Sequence, residues 1–315
     1  MSATGNEPPG DKRPPPIELD GGTLAERRVS SIERRSPTRP QFIEGWHKEL
    51  VSKLAKAQAT PPATATITDR IVIWMANPDA LLRAESCLKI LSDEDWRSLN
   101  RIQDPSSRRS AIAGRVLSRI GLSQAADHKV APSDWRFATA AHDKPIVAEG
   151  LPAIHFSVSH TDQFAVVAVS ATLDIGIDIE CVDQNVSKNV IAEFCHLDEQ
   201  HAVGGLPRPQ EIREFIRLWT LKEAYSKMIG LGHFLDFKSI KFTLDPVDFK
   251  SANNGQKANG STQFETFFIS YMHALFHVSL AIRHPAAAAG STELQILNLA
   301  NSAGIDAAFP ASLSG

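Results

Sequence analysis

Ile175-Gly176-Ile177-Asp178-Ile179-Glu180 and Trp219-Thr220-Leu221-Lys222-Glu223-Ala224-Tyr225-Ser226-Lys227 are the two stretches that decide how this chain reads. In the first, isoleucines alternate with Gly176, Asp178 and Glu180, which is the period of a β-strand with one apolar face. Its two carboxylates project to the same side, where they either hold a hard cation or sit on the wet face of a sheet. Gly176 on that face leaves room for a ligand to approach. In the second stretch Trp219, Glu223 and Lys227 recur every four residues and share a helical face. A Glu–Lys pair at that spacing is an ordinary solvated pair, but an indole on the same face turns it inward. If the helix packs on the strand, three carboxylates and a lysine converge.

Composition bounds what the rest can be. The chain has 315 residues, 43% of them hydrophobic, with a net charge of −3. That balance suits a globular protein and argues against a general nucleic-acid binder. No apolar run reaches the roughly 20 residues that span a bilayer. The N-terminus has no basic segment followed by an apolar core, so no secretory signal is expected. Cys87, Cys181 and Cys195 fit neither a disulfide framework nor a zinc site. A cytoplasmic chain that touches neither membrane nor nucleic acid is expected, acting as a monomer.

Residues 1–66 read as a loosely structured extension and linker, broken by Pro8-Pro9-Gly10 and Pro14-Pro15-Pro16, with a short helix possible over Phe42–Ala57. Strands are expected at Arg70–Met75, Trp135–Phe137, Ile154–Ser159 and Phe164–Val169, the last two joined by a hairpin at His160–Gln163. Helices are expected over Asp79–Leu91 and Pro105–Leu122. The second has Ile112, Val116, Leu117 and Ile120 on one side and Arg108, Arg109, Arg115 and Arg119 on the other. Beyond Glu180 the pattern predicts helices near Asp198–Val203 and over Pro209–Ile229, the latter ended by Gly230 and Gly232. Strands follow at Phe237–Leu244, Thr266–Tyr271 and His277–Ile282, and the segment from Pro285 to 315 reads as a peripheral tail. Mixed strands and helices make an α+β fold.

Cations elsewhere suggest an anionic ligand. Arg115, Lys144 in a turn, and His160 at a strand end each have an ordinary solvated or hydrogen-bonded explanation. With the hydroxyls of Ser159 and Thr161 they also suit a phosphate, and the acids beside them suit Mg²⁺ rather than zinc because every candidate ligand is an oxygen.

In this order, Lys144-Pro145, Phe156-Ser157-Val158-Ser159-His160, Ile175–Glu180 and Trp219–Lys227 resemble the surfactin-type (Sfp-type) 4′-phosphopantetheinyl transferases over roughly residues 68–284. The resemblance implies two pseudo-symmetric lobes, 67–171 and 172–284, each a small, mainly antiparallel sheet packed on a helix. The active site lies in the cleft between them, with the first lobe binding coenzyme A. It further implies transfer of the phosphopantetheine arm of coenzyme A to a serine of an apo acyl or peptidyl carrier protein, releasing adenosine 3′,5′-bisphosphate.

By this likeness Asp178, Glu180 and Glu223 hold Mg²⁺, with Mn²⁺ an alternative, and Asp178 also faces the coenzyme. Lys227 and His160 contact its phosphates, Arg115 grips the 3′-phosphate, and Lys144, Ser159 and Thr161 line the nucleotide site. Glu223, directly or through a metal-bound water, is the base for the carrier serine, and Lys227 steadies developing charge. The carrier is expected to dock near residues 184–205. Asp143 stands where the family has glycine, and Ser157 where it commonly has asparagine. Another Mg²⁺-dependent enzyme acting on coenzyme A-like nucleotides, or a non-catalytic coenzyme A-binding regulator, are the rival readings.

Overall fold

The computed structural model describes residues 32–33, 69–251, 261–271, 273–285 and 292–298. The helix expected over 42–57 and the rest of the 1–66 extension apart from 32–33 lie outside these residues.

The strands are β1 (Ile32–Glu33), β2 (Asp69–Ala76), β3 (Phe137–Thr139), β4 (Pro145–Val147), β5 (His155–His160), β6 (Ala165–Ser170), β7 (Asp174–Cys181), β8 (Asn185–Val186), β9 (Ile240–Leu244), β10 (Val247–Ser251), β11 (Ser261–Tyr271), β12 (Ala274–His284) and β13 (Thr292–Asn298). The helices are α1 (Pro78–Arg83), α2 (Glu85–Lys89), α3 (Asp93–Leu99), α4 (Pro105–Ala125), α5 (Lys188–Phe194), α6 (Leu197–Gly204) and α7 (Arg208–Ile229).

Two sheets carry the core. The first has the order β13-β2-β6-β5 and the second β11-β12-β7, while β3–β4, β9–β10 and β1–β8 form small antiparallel pairs. Strand alternation assigns each face its neighbour. Ile71, Ile73, Met75, Val166 and Ala168 of the first sheet pack against Ile175, Ile177, Ile179, Val278, Leu280 and Ile282 of the second. The intervening residues Val72, Trp74, Val167 and Val169 turn outward onto α4 through Ile112, Val116, Leu117 and Ile120. On the far side, α7 covers the second sheet, with Ala224 and Met228 against Ala281. The layers therefore run α4, first sheet, second sheet, α7, an α+β architecture.

Local chemistry explains the long helices. Asp104 caps α4 by accepting from the Ser107 amide at 2.7 Å, and Pro105 occupies its first turn. Gly230, at φ +76°, ends α7 in the left-handed conformation that glycine adopts freely.

Several expectations are corrected. The single helix over Asp79–Leu91 is two short ones, because Ala84 has extended backbone between them. Helix α3, strand β10 and helix α5 lack a strong apolar period and were not expected. The peripheral tail instead supplies β13, which pairs parallel with β2 over its whole length, with Leu294 and Ile296 packed on the core between the sheets. Arg119, expected on the polar side of α4, is 1% exposed, because Asp95 of α3 reaches it and carbonyls of Pro132 and Ser133 accept its Nη1.

A buried ion pair ties α7 to its surroundings. Lys222 Nζ lies 2.5 Å from Glu199 Oε2 and donates also to the carbonyls of Phe194, Phe237 and Ile240. Glu199 accepts in turn from the amides of His196 and Phe242. Removing one partner strands the other charge without water. Lys222→Met is therefore expected to lower unfolding free energy by about 3–5 kcal/mol in urea titration, whereas an exposed lysine would cost almost nothing.

Candidate functional site

Helix α7 lies across the acid-bearing face of β7. The clearest mark is Gly176: a Cβ there would stand 2.0 Å from the Ala224 carbonyl oxygen and 2.4 Å from the Met228 amide nitrogen. The glycine thus admits the backbone of a helix, not a ligand, which corrects the reading of that position. Asp178 and Glu180 consequently point under α7, and the wet-face explanation of the two acids fails: Asp178 is buried and Glu180 half-buried.

Three elements meet at Asp178. Its Oδ1 accepts from Lys227 Nζ of α7 at 2.7 Å and from Ser159 Oγ of β5 at 2.7 Å. Lys227 Nζ donates also to the Ile177 carbonyl at 3.2 Å. Asp178 Oδ2 is buried with no hydrogen-bond partner. Glu180 accepts from Gln184 Nε2 at 3.1 Å, yet burial first and the Asp178 charge second push its carboxyl up to about 8. Glu223 raises it further and Lys227 opposes the rise, so all four groups share one electrostatic neighbourhood. His160 stands at the exposed end of β5; the protein packed around its ring, and then Lys227, hold its pKa below the usual value.

Among the described residues, no group of three or more His, Cys, Asp or Glu side chains is gathered as a metal site. Like charges resist close approach, and Lys227 compensates Asp178. The donor set still suits a hard cation: the oxygens are carboxylates, Asp178 Oδ2 has no partner, and Glu180 is short of compensating positive charge.

The remaining candidates divide. Thr161 adjoins His160, but its Oγ1 accepts from the amides of Gln163 and Phe164 and so closes the β5–β6 turn. Lys144 donates to the Met228 carbonyl at 2.9 Å, a cation on the C-terminal turn of α7, and burial lowers its pKa. Asp143, beside it, has φ +62°, which accounts for glycine in the resembling sequences; aspartate is among the few other residues that tolerate that conformation. Arg115 is carried by α4. Its Nε lies 3.3 Å from Asp95 Oδ1 and its guanidinium 4.8 Å from the centre of the Phe137 ring.

Sequence reasoning missed a second polar cluster beneath α7. Thr220 Oγ1 is 2.7 Å from His277 Nδ1 and 2.8 Å from Ser279 Oγ, and in the β7–β12 ladder His277 faces Glu180 and Ser279 faces Asp178. The signal was present, since Thr220 shares the α7 motif and His277 and Ser279 alternate on an expected strand. Burial, and to a lesser extent Arg217, pushes His277 down to about 3. The folded ring stays neutral while the unfolded chain takes a proton below about 6.5, so stability falls as pH drops from there towards 3. The slope from this group is at most about 1.4 kcal/mol per pH unit. Thermal melts of His277→Gln are expected to show a correspondingly shallower loss between pH 6.5 and 4 than wild type.

A layered α+β protein with carboxylates, a lysine and an imidazole at the junction of two sheets can bind an anionic group beside a cation. A family model described as the 4′-phosphopantetheinyl transferase superfamily matches residues 174–276, the span from the start of β7 into β12. The 4′-phosphopantetheinyl transferase HetI of Nostoc sp. is 28% identical over 60% of this chain and 80% of its own length. The 4′-phosphopantetheinyl transferase Sfp of Bacillus subtilis is 27% identical over 55% of this chain and 75% of its own. The 4′-phosphopantetheinyl transferase gsp of Aneurinibacillus migulanus is 34% identical over 27% of this chain and 35% of its own. The chain is thus similar to the Sfp-type 4′-phosphopantetheinyl transferases, and these likenesses support a transferase. Among the described residues no helix is long and apolar enough to cross a membrane.

Proposed function

We propose that this chain transfers the 4′-phosphopantetheine arm of coenzyme A to a serine of an apo acyl or peptidyl carrier protein, with a divalent ion present, and releases adenosine 3′,5′-bisphosphate. The observation that carries this reading is the junction at Asp178, where the β5, β7 and α7 motifs meet through Ser159 and Lys227.

The carrier serine oxygen forms a bond to the phosphorus that bears the pantetheine arm. The bond from that phosphorus to the bridging pyrophosphate oxygen breaks, and the electron pair leaves with the adenosine bisphosphate. Glu223, directly or through water, takes the hydroxyl proton. Lys227, paired with Asp178, would oppose the charge that builds on the transferred group, and His160 lies within its field as a second phosphate contact. Asp178, Glu180 and Glu223 would hold Mg²⁺ or Mn²⁺, which when bound supplies charge neutralisation of the pyrophosphate.

Ser159, Thr161 and Lys144 would border the nucleotide and Arg115 its 3′-phosphate. Arg115 suits that role because Asp95 and Phe137 fix its guanidinium on one side. The coenzyme would lie between lobes divided near residue 171, and the carrier would dock near 184–205, where Leu197 is 66% exposed. A monomeric, cytoplasmic enzyme belongs to the same reading.

Chromatography of a reaction containing coenzyme A, Mg²⁺ and an apo carrier tests it. Adenosine 3′,5′-bisphosphate is expected only when all three are present. Coenzyme A breakdown that ignores the carrier would replace this reading with a hydrolase.

A further inference from the structure

The two sheets touch along β5 and β7 without sharing a ladder. Side-chain hydroxyls replace the missing backbone bonds. Ser157 Oγ accepts the Ile177 amide at 3.0 Å and Ser159 Oγ accepts the Ile179 amide at 3.4 Å, both from buried side chains.

Among the described residues Ser157 Oγ makes this bond alone, whereas Ser159 also donates to Asp178 Oδ1 at 2.7 Å. A hydroxyl has a single proton, so accepting from Ile179 while donating to Asp178 fixes its orientation. Lys227 holds the same Oδ1 from the helix side. With Oδ1 gripped from two directions, the carboxylate plane is set, and Oδ2 is left as the buried oxygen without a partner.

We infer that Ser159 is a positioning residue for Asp178, orienting its carboxylate so that Oδ2 is offered to a divalent cation. This rests on the reading of Asp178 as an ion ligand given above, and deepens it. Its consequence is that a hydroxyl at 159 governs cation affinity in addition to bordering the nucleotide.

Ser159→Ala, Ser159→Thr and Ser157→Ala in the full chain separate the roles. Mn²⁺ binding is read by electron paramagnetic resonance without coenzyme A, and transfer is read against Mg²⁺ and against coenzyme A. Outer partners of metal ligands are commonly worth about 10–100-fold in affinity. Ser159→Ala is expected to weaken Mn²⁺ by about that factor and to raise the Mg²⁺ requirement in step. Ser159→Thr restores both. Ser157→Ala, which loses an equivalent seam bond, keeps wild-type Mn²⁺ affinity.

If Ser159→Ala fails to fold, Ser159→Cys, of similar size but a weak donor, is expected to show the same loss. Wild-type Mn²⁺ affinity in folded Ser159→Ala or Ser159→Cys, or an equal loss in Ser157→Ala, overturns the inference. Transfer by wild type with no divalent-ion dependence would overturn the ion-ligand reading itself, and this inference with it.

Discussion

Gly176→Ala is expected to unseat α7 from β7. The added methyl would lie 2.0 Å from one backbone atom of α7 and 2.4 Å from another, so no side-chain rotation relieves it. Ordinary overpacking costs about 1–3 kcal/mol because side chains shift; here the whole helix must lift, and the cost exceeds that range. At a few degrees per kcal/mol for a chain of this size, a fall in melting temperature of about 10 °C or more is expected. Whatever folds should also lose transfer, because lifting α7 draws Lys227 away from Asp178, 2.7 Å apart in the native structure. An alanine variant that melts and transfers like wild type would show that α7 does not rest on this face.

Asp178→Asn is the complementary change, removing charge while keeping shape. The amide oxygen still accepts from Ser159 and Lys227, so the seam holds and the melting temperature stays close to that of wild type. What disappears is the anion that balances Lys227 and would ligate the cation. Loss of one preorganised electrostatic partner typically costs about 10²–10³ in rate, and a fall of at least that size is expected with saturating coenzyme A. The change also removes the Asp178 charge that helps push Glu180 up, so Glu180 should ionise at lower pH. Near-wild-type turnover at limiting Mg²⁺ would contradict the metal assignment.

The parts of this molecule that obey a strict period were legible in the sequence. The isoleucine alternation of β7, the apolar stripe of α4 and the four-residue recurrence of Trp219, Glu223 and Lys227 each became the expected element. Long-range pairing was not legible. Nothing local announces that β13 closes one edge of the first sheet, because its partner β2 lies more than two hundred residues earlier. Nor does a single serine reveal that it bridges two sheets.

Within the site, the grouping of Asp178, Glu180, Glu223 and Lys227 was readable because helix and strand periods fix which side chains share a face. The orientation of Asp178 was not, since it depends on Ser159 from another strand. Gly176 was misread for the same reason: its neighbour is the backbone of α7, and a sequence shows side chains rather than the backbones they leave room for. Lys144 likewise reads as a free cation until the end of α7 is placed against it.

The most direct test weighs a carrier. Apo acyl and peptidyl carrier proteins are incubated with the full chain, coenzyme A and Mg²⁺, then measured by intact-protein mass spectrometry beside a transferase of established activity. The account predicts a gain of one phosphopantetheine on at least one carrier, lost when its acceptor serine is replaced by alanine. Carriers that the reference enzyme converts, but that keep their apo mass with this folded protein, would contradict it.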